Sequence, residues 1–173
     1  MRGKNEQGFT LIELLIVVAI ISIIAAIAVP GLLRARMTGN ETSAIASLKV
    51  TTSSQVAYSA SCGNGAYASA FTVLGTAPAP GGEGFISMDL GSAATPSKSG
   101  YIFTLGAGAG SAAGPDDCNG TASITAYYAS GTPLTAGTTG TRSFAVNAGN
   151  TIWQLTGGTA PAEPFGAPST PIQ

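Results

Sequence analysis

Histidine is missing from all 173 residues. That removes the side chain that titrates nearest neutral pH. With it go the usual general base, the Ser-His-Asp and Cys-His nucleophile systems, and most zinc sites. Cysteine is scarce: Cys62 and Cys118 are the only two, too far apart for a Cys-x-x-Cys redox or metal motif. Charge is thin as well. Charged residues make up 9 % of the chain, the formal net charge is −1, and the 7 basic residues are scattered as Arg2, Lys4, Arg34, Arg36, Lys49, Lys98 and Arg142. Such a weak, dispersed field leaves no electrostatic footprint for nucleic acid or for an anionic membrane surface. These absences argue against an enzyme and against a specific nucleic-acid binder, and no cofactor or metal is expected.

What the chain does have is glycine, 24 residues of it, with much alanine, serine and threonine. A composition of this kind can signal disorder. Here short aromatic and β-branched runs interrupt the small residues, which reads as a loop-rich β structure. The length suits one modest domain plus an appended element.

The N-terminus is the informative part. Residues 1–8 (MRGKNEQG) are short and polar, and the run FTLIELLIVVAIISIIAAIAVP that follows is broken only by Thr10, Glu13 and Ser22. From 11 to 29 it is close to the ~20 residues a helix needs to cross a bilayer. Basic Arg2 and Lys4 ahead of it favour a cytoplasmic N-terminal side, with the rest exported. A secretory signal peptide is one reading, since Ala26-Ile27-Ala28 has the small-x-small look of a cleavage site. Against it stand the length of the apolar stretch and the acid at Glu13. A plain membrane anchor is a second reading.

A third rests on Gly8 followed by Phe9-Thr10-Leu11-Ile12-Glu13-Leu14-Leu15, which resembles the processing and assembly signature of type IV pilins and type II secretion pseudopilins. The likeness is dense over residues 8 to about 30. It implies that a prepilin peptidase and N-methyltransferase cuts between Gly8 and Phe9 and methylates the new Phe9 amine, and that Glu13 is the assembly carboxylate. It also implies an inner-membrane assembly platform as partner, a single-pass membrane state before assembly, and a helical homo-oligomeric filament afterwards. Physical chemistry points the same way. A charged residue costs roughly 2.5 to 3.5 kcal/mol at the centre of a membrane helix, less near its end. Glu13, near the positive end of the helix dipole, still wants a cation at its own depth. Cleavage before Phe9 creates one, an amine that a neighbouring subunit's Glu13 can neutralise. Ala19, Ala25, Ala26 and Ala28 leave room for close helix approach.

Pro30 and Gly31 predict a kink or a locally melted stretch around residues 26–33. Residues 31–61 continue as a weaker amphipathic helix with Ile45, Leu48, Thr52 and Val56 on one face. The whole helix, residues 9–61, would be ~75 Å long at 1.5 Å per residue. Cys62-Gly63-Asn64-Gly65 reads as its stop, and residues 62–100 as an irregular Gly/Pro-rich connection. Strand signals recur at 101–105, 123–130, 142–147 and 151–155, with a hairpin turn at Asn147-Ala148-Gly149-Asn150. Residues 157–173, with four prolines, read as an extended, mobile tail. The fold class is α+β and pilin-like: a leader at 1–8, a long N-terminal helix with residues 9–30 as membrane span and filament core, and a head at 62–173 built on a small antiparallel sheet.

Export places Cys62 and Cys118 in an oxidising compartment, where two lone cysteines pair. Such a bridge departs from that of many pilins, which encloses a C-terminal loop. Asp116-Asp117-Cys118-Asn119-Gly120 lacks EF-hand spacing and reads as an acidic turn. Asn40-Glu41-Thr42 and Asn119-Gly120-Thr121 match the N-glycosylation pattern. The resemblance implies a structural subunit of an extracellular type IV pilus for adhesion, twitching or uptake. The alternative is a major pseudopilin of a type II secretion system forming a periplasmic fibre.

Overall fold

A computed structural model describes residues 8–172. Apart from Gly8, the expected leader with Arg2 and Lys4 lies outside the described residues. The chain divides into two compact units, one ending at Arg36 and the other beginning at Met37.

The first unit holds the start of helix α1 (Leu11–Ser61). Many of its residues are β-branched and are indifferent helix formers on their own. An uninterrupted apolar run in lipid nevertheless has to satisfy its backbone internally, and a helix does that. The large apolar side chains between Phe9 and Leu33 are 47 to 84 % exposed, on every side of the helix. Helical structure continues unbroken through Pro30 and Gly31. Of the kink or locally melted stretch expected there, melting is not seen: proline deletes one backbone donor and leaves the other turns their own hydrogen bonds.

The second unit takes the remainder of α1 and wraps it. After α1 come α2 (Phe71–Gly75), α3 (Met88–Gly91), β1 (Ser97–Lys98), β2 (Tyr101–Ala107), β3 (Ala113–Asp116), β4 (Ala122–Ile124), β5 (Tyr127–Pro133), β6 (Arg142–Asn147), β7 (Trp153–Thr156) and β8 (Thr170–Pro171). Six strands form one sheet in the order β1-β2-β5-β6-β7-β8, every pair antiparallel. β3 and β4 make a separate ribbon, which Tyr67 extends by bridging to Ile124. The single strand expected at 123–130 is thus two: β4 belongs to the ribbon and β5 to the main sheet. The turn Asn147-Ala148-Gly149-Asn150 does join β6 to β7, with Asn150 at φ 60° and its N–H donating to the Asn147 carbonyl at 3.0 Å.

Tyr101, Phe103 and Leu105 of β2, Tyr127 and Ala129 of β5, and Phe144 and Val146 of β6 form one core with Ala44, Leu48 and Tyr58 of α1. The buried face of α1 is not the one its apolar spacing predicts. It runs Glu41, Ala44, Leu48, Thr51, Gln55 and Tyr58, alternating steps of three and four. Of the expected face only Leu48 is fully buried, and Val56 is 52 % exposed. Ile45, Thr52 and Val56 instead border an open groove of about 730 Å³ whose other wall is Ile152 and Ile172. The polar residues on the buried stripe are satisfied. Gln55 Nε2 donates to the Ala68 carbonyl and Gln55 Oε1 accepts from the Ala68 N–H, both at 2.9 Å, while Ser54 Oγ donates to the Phe85 carbonyl at 2.7 Å. Buried polar groups so paired cost little.

Glycine explains how the 62–100 connection lies so close to itself. A Cβ on Gly75 would stand 2.4 Å from the Gly91 carbonyl oxygen, and one on Gly84 would stand 2.4 Å from that of Gly75. The three glycines let α2, α3 and the intervening loop stack backbone on backbone.

The C-terminal segment is not a free extended tail. β8 pairs with β7, Ser143 Oγ donates to the Gly157 carbonyl at 2.6 Å, and Tyr128 Oη donates to the Pro161 carbonyl at 2.5 Å. Phe165 stacks on Trp153 with ring centroids 5.4 Å apart. This cover is why Ser143, Phe144, Ala145 and Val146 are buried in succession rather than alternately.

Cys62 and Cys118 are joined, Cα to Cα 4.8 Å, across a sequence separation of 56. The bridge ties the end of α1 to the β3–β4 ribbon, and the Cys118 N–H also donates to the Cys62 carbonyl at 2.9 Å. The chain-entropy account values closing such a loop at about 4 kcal/mol. Replacing both cysteines by serine is expected to lower unfolding free energy by roughly that amount in denaturant titrations with an unchanged β-sheet signal. Non-reducing peptide mapping should recover the two peptides linked. An unchanged midpoint in the double variant would reject the stabilising role.

Candidate processing and assembly segment

Thr10, Leu11, Ile12 and Glu13 open α1 as a reciprocal cap. The Thr10 N–H and hydroxyl both donate to Glu13 Oε2, at 2.9 and 2.6 Å, and the Glu13 N–H points back at Thr10 Oγ1 at a looser 3.4 Å. This is the Thr-x-x-Glu capping box, which satisfies two of the backbone donors that a helix start leaves without partners. Reading the segment for hydropathy alone misses it, although Thr10 and Glu13 stand three apart in plain view. Glu13 therefore has a local structural role in the single chain, quite apart from any partner.

Each polar side chain of the apolar run has a hydrogen-bond partner within four residues of itself. Besides Thr10 and Glu13 there is Ser22, whose Oγ donates to the Val18 carbonyl at 2.7 Å. Such local pairing lowers the cost of placing Thr10 and Ser22 in a medium with no hydrogen bonds to offer, while the Glu13 charge is left to be neutralised. α1 carries a stretch long and apolar enough to cross a membrane. Gly8 and Phe9 precede the cap and are exposed, Phe9 at 84 %. Glu13 lies one helical turn further on, and Pro30 and Gly31 sit inside α1. Cys62 and Cys118 meet in the head.

The head holds a buried ion pair of its own. Glu41 on α1 is buried and accepts from the Thr141 N–H and hydroxyl at 2.8 Å each, from the Arg142 N–H at 3.2 Å, and from Arg142 Nε and NH2 at 2.8 and 2.6 Å. Arg142 NH1 in turn donates to Gln154 Oε1 at 2.7 Å, and the guanidinium lies 5.5 Å from the centroid of the Phe144 ring. Burial pushes the Glu41 carboxyl up. The Thr141 and Arg142 hydrogen bonds and the arginine charge outweigh that and hold it below the usual glutamate range. Asp117 is likewise buried. It accepts from Tyr58 Oη at 2.8 Å and from the N–H groups of Asn119 and Thr121, which together keep its carboxyl low against the pull of burial. Nothing in the residues around Glu41 marks it for burial; its partner stands about a hundred residues away in the chain.

Comparison with known proteins bears on the first segment. A family described as "Prokaryotic N-terminal methylation motif" matches residues 3–29. The chain is similar to the Type IV wide pilus major component PilA4 of Thermus thermophilus, 62 % identical over 39 residues, which is 22 % of this chain and 30 % of that protein. The likeness thus spans under a third of that relative's length. No solved structure matches the chain. The N-terminal segment is thus similar to that of a type IV pilin, and the fold joined to it is α+β, a long N-terminal helix with an antiparallel sheet.

Proposed function

We propose that this chain is the non-enzymatic structural subunit of a type IV pilus-like filament. It is cut between Gly8 and Phe9, N-methylated at Phe9, and held in the inner membrane by α1 until it is assembled through the same helix into a surface fibre. The observation that carries this reading is a single acid, Glu13, set one turn after the Gly8–Phe9 junction in a stretch of helix, residues 11–33, whose large apolar side chains are exposed on every side. Such a surface has to be covered by lipid or by other chains. Both environments bury the same side chains, so transfer from bilayer to fibre needs little hydrophobic free energy. The freed amine of Phe9 on one subunit then neutralises Glu13 of the next and sets the axial register. Pro30 and Gly31 are the place where the assembled helix would lose order.

The secretion-fibre alternative is less well supported. Its major subunits carry a group of acidic calcium ligands near the C-terminus, whereas here the one acid beyond Asp117 is Glu163. Both its oxygens are engaged inside the head, by Asn147 Nδ2 at 2.5 Å and the Ala109 N–H at 2.6 Å. Mass spectrometry of the mature protein tests the processing step. Its first residue is expected to be N-methylated Phe9, and a chain beginning at Met1 or at Val29 would rule out cleavage after Gly8.

A further inference from the structure

Two stretches carry the Asn-x-Ser/Thr acceptor pattern, and the fold treats them in opposite ways. Asn40 is in α1, half-buried, with Nδ2 donating to the Thr139 carbonyl at 2.9 Å. Glu41, the middle residue, is the buried acid paired with Arg142, and the Thr42 hydroxyl donates to the Thr38 carbonyl at 2.9 Å. All three side chains are consumed by the fold. A transferase could reach that asparagine only by unwinding a helix and breaking an ion pair.

Asn119, Gly120 and Thr121 form the exposed turn between β3 and β4. Here the main chain is what is held: the Asn119 and Thr121 N–H groups donate to Asp117 Oδ1 at 2.9 and 2.7 Å, and the Gly120 N–H donates to the Asp117 carbonyl at 2.9 Å. The side chains are left outside. Asn119 Nδ2 has one contact, to the Ala77 carbonyl at 3.2 Å, at the long end of the hydrogen-bond range. Among the described residues the Thr121 hydroxyl has no hydrogen-bond partner. Asn119 also follows Cys118 directly, and the bridge to Cys62 belongs to an oxidising, exported compartment.

We propose that Asn119 is a glycan acceptor. In the transfer, Asn119 Nδ2 attacks the anomeric carbon of a glycan carried on a lipid diphosphate. The N–C bond forms as the C–O bond to the diphosphate breaks; the lipid diphosphate leaves with the electron pair and the amide gives up one proton. No oxidation or reduction is involved. Thr121 supplies the hydroxyl the transferase reads two residues on. A glycan at this turn would hydrate a head with few charges of its own. The proposal needs export of the head and does not depend on filament assembly.

Peptide mass mapping of the chain isolated from its native host tests it. The peptide bearing Asn119 is expected to carry a glycan increment, and the one bearing Asn40 none. Thr121→Ala, which leaves Asn119 and its main-chain bonds in place, should abolish the increment, while Thr121→Ser should keep it. Recovery of the Cys62–Cys118 bridge in both variants verifies that the turn has folded. Unmodified Asn119 in the wild-type chain, or an increment that survives Thr121→Ala, would overturn the assignment.

Discussion

A Glu13→Ala chain is expected to reach the membrane in normal amount and to produce no filaments. The substitution removes two things at once. One is the capping carboxylate that accepts from Thr10; losing a cap of this kind costs about 1 kcal/mol, which a 51-residue helix tolerates. The other is the only charge in the apolar run, whose removal makes insertion easier. Neither effect opposes membrane entry, so a failure to polymerise reports on the acid's role between subunits. Two companion variants separate cap from charge. Glu13→Gln keeps an oxygen for Thr10 and loses the charge, and should also yield no fibres. Thr10→Val removes the capping hydroxyl and leaves the carboxylate, and should still yield them. Electron microscopy of sheared fibres beside membrane immunoblots reads all three. Normal filaments from Glu13→Gln would remove the electrostatic register; loss from Thr10→Val alone would reduce Glu13 to a helix cap.

The second large effect concerns the head. Glu41→Ala is expected to destabilise it by about 3 kcal/mol, since one deletion strands the main-chain donors of Thr141 and Arg142 and half of a buried ion pair. Arg142 is exposed enough, at 38 % of its side chain, to turn partly to solvent, which keeps the loss below that of a fully buried pair. For a unit of this size the change corresponds to roughly 10 °C in Tm. The pH dependence follows from direction. Because the folded Glu41 carboxyl titrates below its unfolded value, its contribution is complete above roughly pH 5 and is lost as pH falls through the ordinary glutamate range toward the lower folded value. Asp117 has the same sign. Melts of the detergent-solubilised chain, followed through Trp153, should show the wild type losing more stability between neutral and acid pH than Glu41→Gln does. Parallel pH profiles for the two would mean that Glu41 contributes no charge-dependent stability.

Much of the protein is legible in its sequence. The apolar run, its lone acid and the glycine–phenylalanine junction stand in consecutive residues, and so does the turn at 147–150 between two β-branched runs. The β2 and β6 strands were visible for the same reason: Tyr101, Phe103 and Leu105 alternate, and Phe144 and Val146 flank a small residue. The buried side of the second half of α1 was not. Periodicity counts apolar residues, and the stripe that faces the sheet includes Glu41, Thr51 and Gln55, each made acceptable inside by a partner from another element or from the preceding turn. Ile45 and Val56 drew the pattern toward the side that lines the groove.

A helical stretch that is apolar on every side is dictated locally. Each residue meets the same apolar surroundings whatever the rest of the chain does, so composition alone settles that it is helical, uncharged but for Glu13, and in need of cover. The head is decided by meetings between distant residues: Glu41 with Arg142, Gln55 with the backbone of Ala68, Tyr58 with Asp117, and the prolines of the C-terminal segment with the outer face of the sheet. Desolvating a polar group is unfavourable until its partner arrives, and which partner arrives is settled by the closed fold.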